Sequence, residues 1–337
     1  MQVAHRKSLK VLRRASELTA VGAWMSLMPL SLAAFVFLLR APISRRLNSR
    51  VRVGRWLVGL YLAWMALDRN VCKSGGRPVH WARRNPLWRL FRSYFKADII
   101  YDFGEDEHLF DSDVPLVLGC HPHGVVSLSV FANVVFHSVI PIDYRIATVA
   151  ANFIVPFWRD ILLALGFVDA NRATLKSLLV HGKSVALVVG GAEEALDARP
   201  GTNDLTLGTR LGFVRLAVET GASLVPIFSF GENELFEQVL PNPPGSLLRD
   251  LQEWGKSKLG FSMPLVAGRW GLPVPLRRRV TSIVGRPMVV QKVSEPKEED
   301  VQNLHCEYVS QLEALYKKYS PQLAPNVENL VIRDSKL

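Results

Sequence analysis

His121 and His123 are separated only by Pro122 and closed by Gly124, with the apolar runs "LVLGC" before them and "VVSLSVF" after. Imidazole is the side chain whose ordinary pKa lets it exchange a proton near neutral pH. Proline and glycine fix a turn here, and Gly124 lets a ligand come close to the backbone. A helix starting after the turn would aim unpaired N–H groups at an oxyanion. A base beside an oxyanion cradle is what acyl transfer requires. His123 is the favoured base, being next to Gly124 and the helix start; His121 is the alternative. Both histidines as satisfied turn residues would be the plain structural explanation. An H-x-H pair also binds zinc, but only with further ligands. His137 and His181 are the nearest other histidines, both within predicted helices, and H-E-x-x-H and paired cysteines are absent, so no metal is expected. G-x-S-x-G, G-x-G-x-x-G and the Walker A pattern are absent too, against a serine hydrolase or a nucleotide-dependent enzyme.

The elements around the pair say where it sits. Strands are expected at 115–120, 145–151, 184–191, 223–230 and 279–285. Helices are expected at 125–136, 156–166, 172–182 and 207–221, with a charged amphipathic one across 296–319. Strand and helix in alternation predict the α/β class: a mostly parallel sheet flanked by helices. Ligands bind such sheets at the carboxyl ends of the strands. Three polar clusters fall there, at 121–124, 190–194 and 231–233. Together they define one crevice with His121, His123, Glu193 or Glu194, Glu232 and Asn233. Glu232 and Asn233 would bind the acceptor or hold the histidine loop; a simple turn after a strand would use the same residues. Arg210 opens a helix facing the crevice and would hold a coenzyme A phosphate, although a surface charge is the commoner role. Residues 277–279, all arginine, read as a solvated or membrane-facing patch.

The chain has 337 residues, 49% of them hydrophobic, and a formal charge of +11. That charge suits an anionic partner. No nucleic-acid-binding signature accompanies it, and the basic residues gather beside apolar runs near the N-terminus, which favours a membrane surface. Cys72, Cys120 and Cys306 are far apart and odd in number, so no disulfide framework is expected. Residues 18–39 carry no charge and are long enough to span a bilayer core of about 30 Å, too long for a secretory signal. Pro29 should bend any helix there. Residues 56–67 form a shorter apolar run with Trp and Tyr, suited to a second hairpin arm or an interfacial helix. Arginines and lysines flank the first run on both sides. Because positive charge is retained in the cytosol, a shallow hairpin with cytosolic ends is favoured over a simple span.

Five ordered motifs resemble the type-2 diacylglycerol acyltransferase family, which also contains monoacylglycerol and wax-alcohol acyltransferases. They are "GGRPVHWARRNPLWRLFRSYF" (75–95), "CHPHG" (120–124), "VVGGAEEAL" (188–196), "RLGFVRLAVETGASLVPIFSFGENELF" (210–236) and "VGRPMVV" (284–290). The likeness covers about residues 55–319, with one departure: Tyr94-Phe95-Lys96 stands where the family usually has Tyr-Phe-Pro. The resemblance implies an endoplasmic-reticulum membrane enzyme, with its catalytic part cytosolic and with access to lipid droplets. It would move a fatty acyl group from acyl-coenzyme A, a co-substrate with no cofactor beside it, to a neutral-lipid hydroxyl. Diacylglycerol is the first-choice acceptor; monoacylglycerol and long-chain alcohol remain alternatives, as does a non-catalytic membrane or lipid-droplet protein. The family's double-glycine motif carries a glutamate at Glu194, implied to orient the base in the manner of a triad, with Glu193 as competitor. In the distantly related glycerol-phosphate acyltransferases an Asp follows His by five residues; Val126 stands there, so the carboxylate must come from elsewhere. Expected partners are membrane lipids, acyl-coenzyme A and diacylglycerol, and no nucleic acid; a homo-oligomer is compatible with the sequence. The expected divisions are 1–95, the basic N-terminus, embedded hairpin and connector; 96–325, the acyltransferase domain; and 326–337, a tail.

Overall fold

The computed structural model describes residues 2–40, 49–104, 110, 114–136, 142–259 and 264–335. His137, Arg45 and Arg46 lie outside the described residues. Two long helices come first, α1 (Gln2–Arg40) and α2 (Ser49–Leu67). The bend expected at Pro29 is not a break: α1 continues through it, since a proline forfeits its own N–H bond while the ladder on either side persists. Lys10–Leu38 is long and apolar enough to cross a membrane. The lower part of α1 is nevertheless docked. Val21 and Trp24 are buried, and the Trp24 ring lies 4.6 Å from Phe131, 5.5 Å from Trp158 and 5.6 Å from Trp88. Opening such a buried aromatic nest by removing one ring typically costs about 3–5 kcal/mol.

Short helices α3 (His80–Arg83) and α4 (Leu87–Tyr94) lead into the sheet. Its strands are β1 (Asp98–Tyr101), β2 (Leu116–His121), β3 (Tyr144–Thr148), β4 (Phe167–Asp169) and β5 (Ser184–Val188). Beyond these come β6 (Asn203–Thr206), β7 (Ser223–Phe230), β8 (Glu237–Gln238), β9 (Val266–Ala267), β10 (Thr281–Val284) and β11 (Leu330–Arg333). The connecting helices are α5 (Trp158–Ala164), α6 (Arg172–Val180), α7 (Gly191–Asp197), α8 (Gly212–Thr220), α9 (Leu247–Leu259) and α10 (Glu298–Leu323).

The main sheet runs β1-β10-β7-β2-β5-β3-β4. From β7 to β4 every pairing is parallel; β10 turns antiparallel to β7 and carries β1 parallel to itself. This is the expected α/β class with a mostly parallel sheet. Every residue of β2 and β7 is buried, as helix cover on both faces demands. β2 lies between β5 and β7, with Cys120 opposite Val188 and His121 opposite Phe228. The three polar clusters therefore leave three adjacent strands at the same end.

Six strands, β1, β4, β6, β8, β9 and β11, are not apparent from the sequence pattern. The stretch set apart as a tail, 326–337, contains β11, which pairs with β6 with Leu330 opposite Asn203. α8 begins at Gly212 rather than 207. The helix expected over 125–136 also differs: Ser127 has φ 53°, and residues Val130–Val135 wind as a π-helix.

Candidate active site

The two histidines do different things. His121, the last residue of β2, is 1% exposed. Its Nε2 lies 3.0 Å from the hydroxyl of Tyr308, a buried residue of α10, and burial pushes its pKa down to about 3. His123 lies past the turn. Its Nδ1 is 2.8 Å from the carbonyl oxygen of Gly124. A carbonyl only accepts, so Nδ1 carries the proton, and burial, partly opposed by this bond, lowers the pKa and keeps the ring neutral. The lone pair is then on Nε2, which has no hydrogen-bond partner among the described residues.

His123 lines a cavity of about 370 Å³ whose other walls include Phe131, Trp158 and Phe167 of the body and Trp24, Met25 and Met28 of α1. Gly191 and Ala192, at the start of α7, border it as well. The arrangement is a neutral base at the edge of a largely apolar chamber.

Two buried carboxylates clamp the loop between them. Glu194 Oε2 accepts the backbone N–H of His123 at 2.7 Å, and its Oε1 accepts that of Thr206 at 2.8 Å. The expected contact with the imidazole is therefore replaced by one with its main chain. Glu232 Oε1 accepts from Leu128 N at 3.0 Å and Oε2 from Ser129 N at 2.6 Å. The helix-start amides expected to cradle an oxyanion are thus occupied by Glu232, which holds the loop. Burial raises both carboxyls to about 7 against the N–H bonds that favour the charged form.

The glycines make room for this clamp. A Cβ at Gly190 would fall inside the Glu194 carboxylate. At Gly124, φ is 58° and a Cβ would lie 2.8 Å from Glu232 Cδ, so any other residue meets strain and collision together.

The remaining predicted site residues support rather than face the chamber. Arg210, expected to hold a phosphate, pairs with buried Glu193 at 2.7 Å. Lys256 approaches the same carboxylate at 3.6 Å, and Ser335 donates to it at 2.6 Å. Asn233 donates Nδ2 to Thr202 O at 2.9 Å and so ties down the loop before β6. Arg277, expected to be solvated, pairs with buried Glu17 of α1, and Arg279 with Asp98 at 2.9 Å. Tyr308 and Trp24 escaped sequence reasoning. Tyr308 belonged to a stripe that signalled only packing, and Trp24 to a run that signalled only lipid.

Residues 52–333 match the family model for diacylglycerol acyltransferase. The chain belongs to the diacylglycerol acyltransferase family. Diacylglycerol O-acyltransferase 2B of Umbelopsis ramanniana is 34% identical over 91% of this chain and 88% of its own. Diacylglycerol O-acyltransferase 2 of Xenopus laevis is 38% identical over 82% and 79%, and that of Homo sapiens 35% over 82% and 74%. The crystal structure of the 1-acyl-sn-glycerophosphate acyltransferase of Thermotoga maritima overlays 92% of this chain and 98% of its own, with 12% identity and a TM-score of 0.42. Membership makes the protein an acyltransferase. The family departure at Lys96 has a backbone correlate: its φ is 46°, which proline, locked near −65°, cannot adopt.

Proposed function

We propose that the protein transfers a fatty acyl group from acyl-coenzyme A to the free hydroxyl of diacylglycerol, with His123 as general base. The observation that carries this reading is the Nε2 of a neutral His123, without a partner among the described residues, on the wall of an apolar cavity. The names of the relatives, diacylglycerol O-acyltransferases, support the acceptor. His123 Nε2 takes the hydroxyl proton as the oxygen attacks the thioester carbonyl. The carbonyl π pair moves to oxygen; when the tetrahedral adduct collapses that pair re-forms the carbonyl, the C–S bond breaks, and the leaving thiolate takes the proton back from His123 Nε2, which is neutral again. Glu194 positions the base through its main-chain N–H. Lys10–Leu38 supports membrane association, and we assign the protein to the endoplasmic reticulum and lipid droplets, its catalytic part cytosolic.

The test offers one labelled acyl-coenzyme A to membranes holding the protein, with diacylglycerol, monoacylglycerol or a long-chain alcohol as acceptor. Triacylglycerol should be the main product. A dominant wax ester or diacylglycerol product would reassign the acceptor, and full activity in His123→Ala would remove the base.

A further inference from the structure

The membrane helix does more than anchor. Trp24, Met25 and Met28 of α1 form one wall of the cavity that His123 borders. Trp24 is buried and packs on Phe131 and Trp158, both also cavity residues, whereas Val126 and Val149 on the wall are more than a third exposed. The chamber therefore runs from an open side to a deep aromatic end made in part by α1. Apart from His123, the polar side chains of Ser127, Thr148 and Asn152 on its wall are engaged with the protein itself. Asn152 donates to Thr148 Oγ1 at 2.8 Å and accepts from Trp158 Nε1 at 3.3 Å, and Ser127 Oγ donates to His123 O at 2.9 Å. A headgroup would find few partners there, while a hydrocarbon chain needs none.

We propose that α1 is a specificity element: Trp24, Met25 and Met28 shape a slot for one linear hydrocarbon chain of a reactant, and their size sets which chain lengths react. The inference rests on the acyl-transfer reading above. Methionine suits such a wall because its unbranched side chain adapts to the occupant. The chain comes either from the acyl thioester or from the acceptor lipid; both present the same methylenes to the slot.

The experiment compares the unmodified protein with Met28→Trp, which narrows the slot, and Met25→Ala/Met28→Ala, which widens it, all full-length in membranes. One arm varies acyl-coenzyme A chain length at a fixed diacylglycerol; the other varies the acceptor's chains at a fixed acyl-coenzyme A. Removing or adding apolar contact on this scale changes relative kcat/KM by about tenfold or more. Met28→Trp should shift preference toward short chains, and the double alanine variant toward long ones. A shift confined to the first arm places the acyl chain in the slot, and a shift confined to the second places the acceptor there. Active variants with unchanged preferences in both arms would overturn the proposal while leaving the transfer reading intact. Absence of transfer by the unmodified protein would instead remove the reading beneath it. The paired variants move the slot in opposite directions, so misfolding of the crowded one leaves the widened one to decide.

Discussion

Glu194 grips His123 by its backbone N–H, at 2.7 Å, and leaves the imidazole to the carbonyl of Gly124 at 2.8 Å. The ring's tautomer is thus set within the loop, and the loop is set by a carboxylate from the neighbouring strand end. The division separates the chemistry of His123 from the support beneath it.

His123→Ala should lower acyl transfer by about 10²–10⁴, the usual worth of a general base, with little change in thermal unfolding. Tyr308→Phe should do the reverse. Removing the hydroxyl leaves the buried His121 Nε2 unpartnered, at a cost of about 1–3 kcal/mol. Turnover per folded molecule should stay within a few-fold. Loss of activity in Tyr308→Phe without loss of stability would place His121 in the chemistry after all.

The glycine at 124 should resist even a methyl group. In Gly124→Ala the backbone must hold φ 58° while the new Cβ meets the Glu232 carboxylate. A non-glycine residue held there costs about 1 kcal/mol or more before any collision. Either the loop or the Glu232 carboxylate must shift, and either movement opens the clamp, so activity should fall more than tenfold while far-UV circular dichroism is preserved. Near-normal kcat/KM in Gly124→Ala would mean that the loop tolerates displacement and that the Glu232 clamp is dispensable.

The architecture was largely legible in the sequence because β2, β5 and β7 are continuous apolar runs that end in glycine-rich polar clusters. β1, β4, β6, β8 and β9 are hidden because none exceeds four residues, and β11 because its three apolar residues, Leu330–Ile332, sit inside a polar C-terminal stretch. In the site, His123 and the convergence of three strand ends followed from spacing. The partners did not. Which atom of Glu194 meets which atom of His123 depends on β2 lying beside β5, and the Arg210–Glu193 pair joins segments whose approach no local pattern encodes. Trp24 was unreadable for another reason: an apolar helix facing a protein cavity and one facing lipid have the same composition.

Stability should fall as pH rises through neutrality. Glu194 and Glu232 are raised to about 7 by burial, against about 4.3 for an unfolded glutamate. The folded state holds their protons longer, so their contribution is complete below about pH 4.3 and is lost as pH passes through about 7. Melting temperature measured across that window should slope downward on account of these two groups. Glu194→Gln and Glu232→Gln should each flatten the slope. A slope unchanged in both variants would mean that the two carboxyls titrate normally. Activity has the opposite dependence. The lowered pKa of His123 keeps the base neutral at pH 7, so the acid limb of the rate profile should lie below about 6.5.

Prolonged chelation should leave transfer unchanged. His121 Nε2 faces Tyr308 and His123 Nδ1 faces Gly124 O, and no group of three metal-ligating side chains occurs among the described residues. Inactivation by a chelator with rescue by zinc would require a ligand set drawn from elsewhere.

The N-terminal hairpin should enter the cytosolic leaflet without crossing. α1 is bound to the body as far as Met28, which lines the cavity; beyond it Ser31 is still buried, while Leu30, Leu32 and Phe37 are exposed. Its outer end, residues 29–40, reaches about 18 Å at helical rise. α2 is pinned at Tyr61, whose hydroxyl donates to Asp160 and accepts from Phe157 N at 2.7 Å, so residues 49–60 extend about as far. Neither arm matches a bilayer core of about 30 Å. The connection between them is rich in arginine, which favours the anionic cytosolic leaflet and resists translocation. The check is an Asn48→Cys variant, with Cys72, Cys120 and Cys306 replaced, in sealed microsomes. An impermeant thiol reagent added outside should label Cys-substituted position 48 and a matching site at His5 alike. Protection of position 48 until detergent is added would show that the tip reaches the lumen, and the arms would then have to be carried deeper by a body that is itself partly embedded.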